Sequence, residues 1–228
     1  MKKIFSAIIV ALIAVIFVGC GEKKEAVDTI NNHIIEVRNN LYAGSDENFF
    51  ATFCTGDRED PYGLDGVINE KIPFGIVTFS RVNNSSLNNT EYNFTITING
   101  EETSGILEKS PYDNTYSADI GKNVDDNAEI SLRLTADGKE FNQVLFNESK
   151  NFAVTKEDAI NIAGEELKDA IVSMNKEDGS PEAMVKILKD YSGETNRYFW
   201  YVGIVSSNGK TAGVLIDANT GDIVSKKL

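Results

Sequence analysis

From Phe49 to about Phe152 apolar and polar residues alternate, and turn residues interrupt the alternation every few positions. KIPFGIVTFSRV, EYNFTITI, SGILEK, TYSADI, EISLRLT and EFNQVLF all carry the period of two that puts one face of a strand in a core and the other in water. Asn99-Gly100 separates two of these runs and Asp137-Gly138 separates two more. Such dipeptides suit the type I′ hairpin turn, whose two central residues both need positive φ. Strands joined this tightly pair antiparallel, since a parallel crossover needs a dozen or more residues.

Six or seven short strands with tight turns predict an antiparallel β-sandwich of immunoglobulin-like architecture. The buried Cys-Trp-Cys arrangement of antibody domains is absent, so the expectation concerns architecture alone. Before this region a short helix is predicted after Asp28, with Ile30, Ile34, Val37 and Leu41 on one face. The only histidine, His33, lies beside that stripe. The polar segment NNSSLNN, 83–89, reads as a loop tip.

A boundary is expected near Ala153. TKEDAINIAGEELKDAIVSM follows, and Thr155 with Asp158 suits a capping box at a helix start. Ile160, Ala163, Leu167, Ala170, Ile171 and Met174 form one apolar face at helical spacing. PEAMVKILKDY fits either a helix start at Pro181 or a short strand. RYFWYVGIVSS and TAGVLIDA read as strands joined at Asn208-Gly209, and DANTG turns into a last extended segment.

The helix opening TKEDAINIA, the strand FWYVGIV, the NG turn and VLIDANTGDIV together resemble the PepSY domain of secreted and membrane-anchored bacterial proteins. The resemblance covers roughly Phe152 to Leu228. It implies that PEAMVKILKDY is the first strand of a small antiparallel sheet, that Asp217 and Gly221 shape a turn, and that Trp200 packs. It also implies a role in inhibiting or regulating peptidases. GDREDPYGLDG resembles the region in front of such domains in lipoproteins of Gram-positive bacteria, and implies no activity. The expected whole is mainly β: a helix and sandwich over 28–152, then an α+β PepSY-like domain over 153–228.

The chain begins MKKIFSAIIVALIAVIFVGC. A basic start, an apolar run and a small residue are the layout of a secretory signal. The run is shorter than the ~20 residues a spanning helix needs. Val18-Gly19-Cys20 resembles the lipobox of bacterial lipoproteins, which implies acylation of Cys20 after loss of residues 1–19. Residues 20–27 then form a tether to the extracytoplasmic face of the membrane. Removing residues 1–19 takes two lysines and no acids, so the formal charge falls from −13 to −15. A chain this acidic, without basic clusters, does not suit nucleic acid. Cys54, the second cysteine, then has no intramolecular partner and reads as a small buried hydrophobe.

TGDREDPYGLDG gathers Asp57, Arg58, Glu59, Asp60 and Asp65 in a turn-rich stretch. Oxygen donors at this spacing suit Ca²⁺, although the alternation of an EF-hand is missing. The competing expectation is a solvated loop held by Asx-type turns. Tyr62 and Trp200 are candidate binding aromatics, and the alternating faces of a core sheet account better for the run Tyr198–Tyr201 that holds Trp200. The sequence contains no Gly-x-Ser-x-Gly, His-Glu-x-x-His, phosphate loop or Cys-x-x-Cys. No cofactor is implied. The expected function is a lipid-anchored envelope module that binds or regulates a protein. The alternatives are a peptidase inhibitor acting through the PepSY-like domain and a metal-dependent enzyme using the Asp57–Asp65 loop.

Overall fold

A computed structural model describes residues 21–46, 49–81, 91–111, 115–136, 138–178, 181–190 and 197–228. The signal segment, Cys20 and the 83–89 loop lie outside the described residues. Eight strands make up the middle of the chain: β1 (Ile34–Ser45), β2 (Phe49–Glu59), β3 (Lys71–Arg81), β4 (Tyr92–Ile98), β5 (Glu101–Lys109), β6 (Thr115–Ile120), β7 (Ile130–Ala136) and β8 (Lys139–Asn147). Their order is β1-β2-β3-β6-β5-β4-β7-β8, and β8 returns to pair with β1. Every one of these pairings is antiparallel.

This is a closed eight-stranded barrel, which overturns the expected immunoglobulin-like sandwich. Alternation and hairpin turns specify antiparallel strands with one buried face. They do not specify whether the first and last strands meet. Here they meet at Tyr42↔Asn147 and Ala43↔Phe146. Beyond that seam Gly44 presses against β8, where a Cβ would lie 2.6 Å from the Val144 carbonyl oxygen. Closure leaves the barrel itself no open sheet edge along the seam, the usual liability of antiparallel sheets. The interior is filled by alternate residues such as Phe53, Val77, Tyr92, Ile96, Leu132 and Leu134, all essentially inaccessible. Tyr92 and Tyr116 meet edge to face with ring centroids 4.6 Å apart. The Asn99-Gly100 turn has φ of 50° and 87°, as its dipeptide predicts.

A helix over residues 21–32, α1, precedes the barrel. It ends where the predicted helix was to continue, and Ile34 begins β1 instead. The β-branched pair Ile34-Ile35 and the flanking pairings favour the extended state over the 3.6-residue stripe. Ala26 and Ile30 of α1 are fully buried, but in the core of the C-terminal unit rather than against the barrel.

That unit contains α2 (Lys156–Glu166), α3 (Lys168–Asp178), β9 (Glu182–Lys189), β10 (Tyr198–Val205), β11 (Thr211–Asp217) and β12 (Ile223–Lys227). The single helix expected over TKEDAINIAGEELKDAIVSM is interrupted at Leu167. Thr155 and Asp158 form the expected capping box, with Asp158 N donating to Thr155 Oγ1 at 3.1 Å and Thr155 N donating to Asp158 Oδ2 at 3.1 Å. Glu182–Lys189 within PEAMVKILKDY form a strand, β9, which leads the antiparallel set β9-β10-β11-β12.

The two units share one strand. Residues 34–38 of β1 pair in parallel with β9, while Tyr42 and Ala43 pair with β8. Between them a bulge at Asn39 shifts the register of β1 on β2. A bulge increases local twist and re-aims the strand. Gly56 of β2 permits the crossing, since a Cβ there would lie 1.8 Å from the Val37 carbonyl oxygen. The result is a continuous twelve-stranded sheet in which the barrel runs directly into the C-terminal layer.

Candidate functional site

The parallel β1–β9 seam carries the densest buried charge among the described residues. Glu36 of β1 is 3% exposed. Its carboxylate accepts from Arg38 Nε at 2.6 Å, and Lys186 Nζ of β9 lies 2.7 Å from its other oxygen. Burial by itself raises the Glu36 carboxyl, but Arg38 and Lys186 outweigh it and hold the group below the ordinary carboxylate range. Burial pulls Lys186 below the usual lysine value despite Glu36. Phe74 supports the cations, its ring centroid 5.8 Å from the Arg38 guanidinium carbon and 5.0 Å from that of Arg58. Arg58 pairs onward with Asp119 at 2.5 Å.

Residues 60–70, which join β2 to β3, lie over this seam. Asp60 N donates to the Glu70 carbonyl at 2.9 Å and closes the base of the loop. Glu182, at the start of β9 and 2% exposed, accepts from Asp65 N at 2.9 Å and Gly66 N at 2.5 Å through Oε1. Gly66 has φ of 79°, a conformation that glycine adopts without strain. Glu59, 1% exposed, accepts from Asn69 N at 3.1 Å through Oε2. Tyr62 lies across the seam with its hydroxyl 3.6 Å from Met184 Sδ. Burial raises the Tyr62 phenol above its ordinary value, and the neighbouring Glu36 charge adds to the effect. Burial also raises Glu182, although its two backbone N–H bonds oppose this.

The residues singled out from sequence separate here. Asp57 sits in β2 and accepts from Asn123 Nδ2 at 3.3 Å. Glu59 is buried and holds the loop. Asp60 is exposed, and Asp65 Oδ1 caps Val67 N at 2.9 Å. The Asx-turn reading describes Asp65 directly. Among the described residues no three His, Cys, Asp or Glu side chains gather in a metal-binding arrangement. Tyr62 is 47% exposed, whereas Trp200 is 3% exposed and donates from Nε1 to the Val154 carbonyl at 2.9 Å. Trp200 is thus a core residue that fastens the entry of α2. Asp217 and Gly221 form a turn, with Gly221 N donating to the Asp217 carbonyl at 2.9 Å. Cys54 is buried, and burial pushes its thiol up to about 11.

Glu36, Arg38, Lys186 and Glu182 had no signal in the sequence. A helix assigned over 29–41 puts Glu36 and Arg38 on a surface, and Lys186 becomes significant only when β9 docks on β1.

Residues 153–227 match the family model PepSY, described as the peptidase propeptide and YPEB domain. They begin just before α2 and end with β12, so the C-terminal unit is a PepSY domain. The match does not extend into the barrel, α1 or β1. No curated protein and no solved structure matched the chain.

Proposed function

We propose that the chain is a binding and regulatory module of the cell envelope, anchored through lipid on Cys20, in which barrel and PepSY domain act as one body. The observation that carries this reading is the shared strand β1. It fuses a PepSY domain to a barrel whose interior is filled with side chains, and a buried ion cluster fastens the seam. A rigid scaffold with a packed interior and loops displayed at its junction suits recognition. Reversible cross-linking in membranes of cells producing the full chain tests the reading. A stoichiometric envelope protein is expected with the protein, and folded protein that brings none would overturn it. Mass spectrometry of the membrane-extracted chain tests the anchor: an unmodified Cys20 still joined to Gly19 removes it.

A second reading, inhibition of a peptidase, draws on the propeptide description of the matching family. Because α1 and β1 complete the PepSY core, the test uses residues 21–228. Secreted peptidases of the producing organism are assayed with the protein at micromolar concentration, and at least one is expected to slow.

A further inference from the structure

Among the described residues the largest group of exposed large hydrophobic side chains falls in one segment of the chain. Tyr62, Leu64, Val67, Ile68 and Ile72 are between 37% and 56% exposed, and all fall within the loop over the β1–β9 seam or at its exit. The others form smaller groups: Ile106 on β5, Val144 and Phe146 on one face of β8, and Ile223, Val224 and Leu228 at the end of the chain. Single exposed apolar residues need no explanation, whereas a contiguous set of them marks a contact surface.

The loop is also held in shape. Two buried carboxylates from different units, Glu59 and Glu182, accept three of its backbone N–H groups, and Asp65 caps a fourth. Hydrogen bonds from backbone to carboxylate are charge-assisted and stronger than neutral ones. A surface ordered in advance loses less entropy when it binds. Within residues 60–72 the exposed charges are Asp60, Asp65 and Glu70, with Lys71 the one base.

We infer that residues 60–72 are the recognition element of this protein, and that they fit a partner protein whose surface offers an apolar recess edged by lysine and arginine. The inference rests on the binding-module reading above and names its surface. Charge selects this occupant over two others. An anionic lipid surface repels the acidic rim. A second copy of the chain brings acid against acid across a two-fold axis. A cation-edged recess satisfies both the apolar tip and its rim, with the apolar side chains as anchors.

The test places a photo-reactive phenylalanine analogue at position 64, 106 or 224 of the full chain in producing cells. Irradiation is expected to give one protein adduct from position 64, mapped by mass spectrometry to an apolar segment flanked by Lys or Arg. Binding of that purified protein is expected to weaken roughly 100-fold or more in the Leu64→Asp, Val67→Asp double variant. Its association is expected to slow as salt rises. Trp200 fluorescence confirms that the variant is folded. A protein adduct from position 106 or 224 alone overturns the loop assignment and leaves the binding module standing. A lipid adduct or a homodimer from position 64 overturns the inference, as does unchanged affinity in the double variant. No protein adduct from any position removes both readings.

Discussion

Replacing Glu36 with alanine is the most demanding test of the shared strand. The carboxylate neutralises two cations in a site where it is itself 3% exposed, with contacts of 2.6 and 2.7 Å. Its removal strands Arg38 and Lys186, whose side chains are 23% and 15% exposed. Removing one partner of a buried pair costs about 3–5 kcal/mol, mostly from the charge left behind. Partial exposure lets water reach both cations, and Phe74 supports Arg38, so the lower end, about 3 kcal/mol, is expected. For a chain of this size that corresponds to a fall in Tm of roughly 6–12 °C. Urea unfolding supplies the assay with two probes. Trp200, the only tryptophan, reports the PepSY core, and near-ultraviolet circular dichroism in the tyrosine band reports the packed Tyr92–Tyr116 pair inside the barrel. In the parent the two transitions are expected to coincide. In Glu36→Ala the tryptophan transition moves to lower urea. A loss below about 1 kcal/mol, the range of exposed ion pairs, would show that Glu36 is solvated and that the seam does not depend on it.

Three further outcomes follow from individual groups. The folded state holds the Glu36 carboxyl below its unfolded value, so its stabilisation is present above about pH 4.3 and is lost as pH falls through the lower folded value; acid titration monitored by fluorescence should show a shallower loss in Glu36→Gln than in the parent. Thr155→Ala removes the capping box of α2 and should lower stability by about 1 kcal/mol in urea titration. Cys54 should resist a thiol reagent at pH 8 in the native protein and react at once in denaturant, because its thiol is buried and pushed up to about 11.

The strands, their alternation and the Asn99-Gly100 turn were legible because they depend on neighbours along the chain. So was the capping box of Thr155 and Asp158, three residues apart. Closure was not legible, because the Tyr42–Asn147 seam depends on the cumulative twist and stagger of eight strands, which no local pattern encodes. The stretch 33–41 was misread because Ile34, Val37 and Leu41 satisfy a helical stripe by coincidence, and tertiary pairing on both edges overrides it. The site shows the same division. The 57–65 stretch stood out by composition, and the structure gives its acids separate tasks instead of one shared ligand. Its fastening residues, Glu36, Lys186 and Glu182, lie far from it in sequence and meet it only through β9.

The parallel pairing of β1 with β9 also orders events in time. Val37 aligns with Val185, about 150 residues further along the chain, and contacts so distant form slowly because the intervening loop must close first. The barrel needs only residues up to Asn147 to complete its circuit of pairings. The PepSY domain, by contrast, needs both ends of the chain, because α1 and the first half of β1 belong to its core and its sheet. Until β9 arrives, residues 34–38 present an unpaired strand edge and α1 has no surface to cover. A chaperone or translocation factor that shields an extended segment therefore has a defined stretch to protect, separated from the membrane anchor proposed at Cys20 by α1 alone.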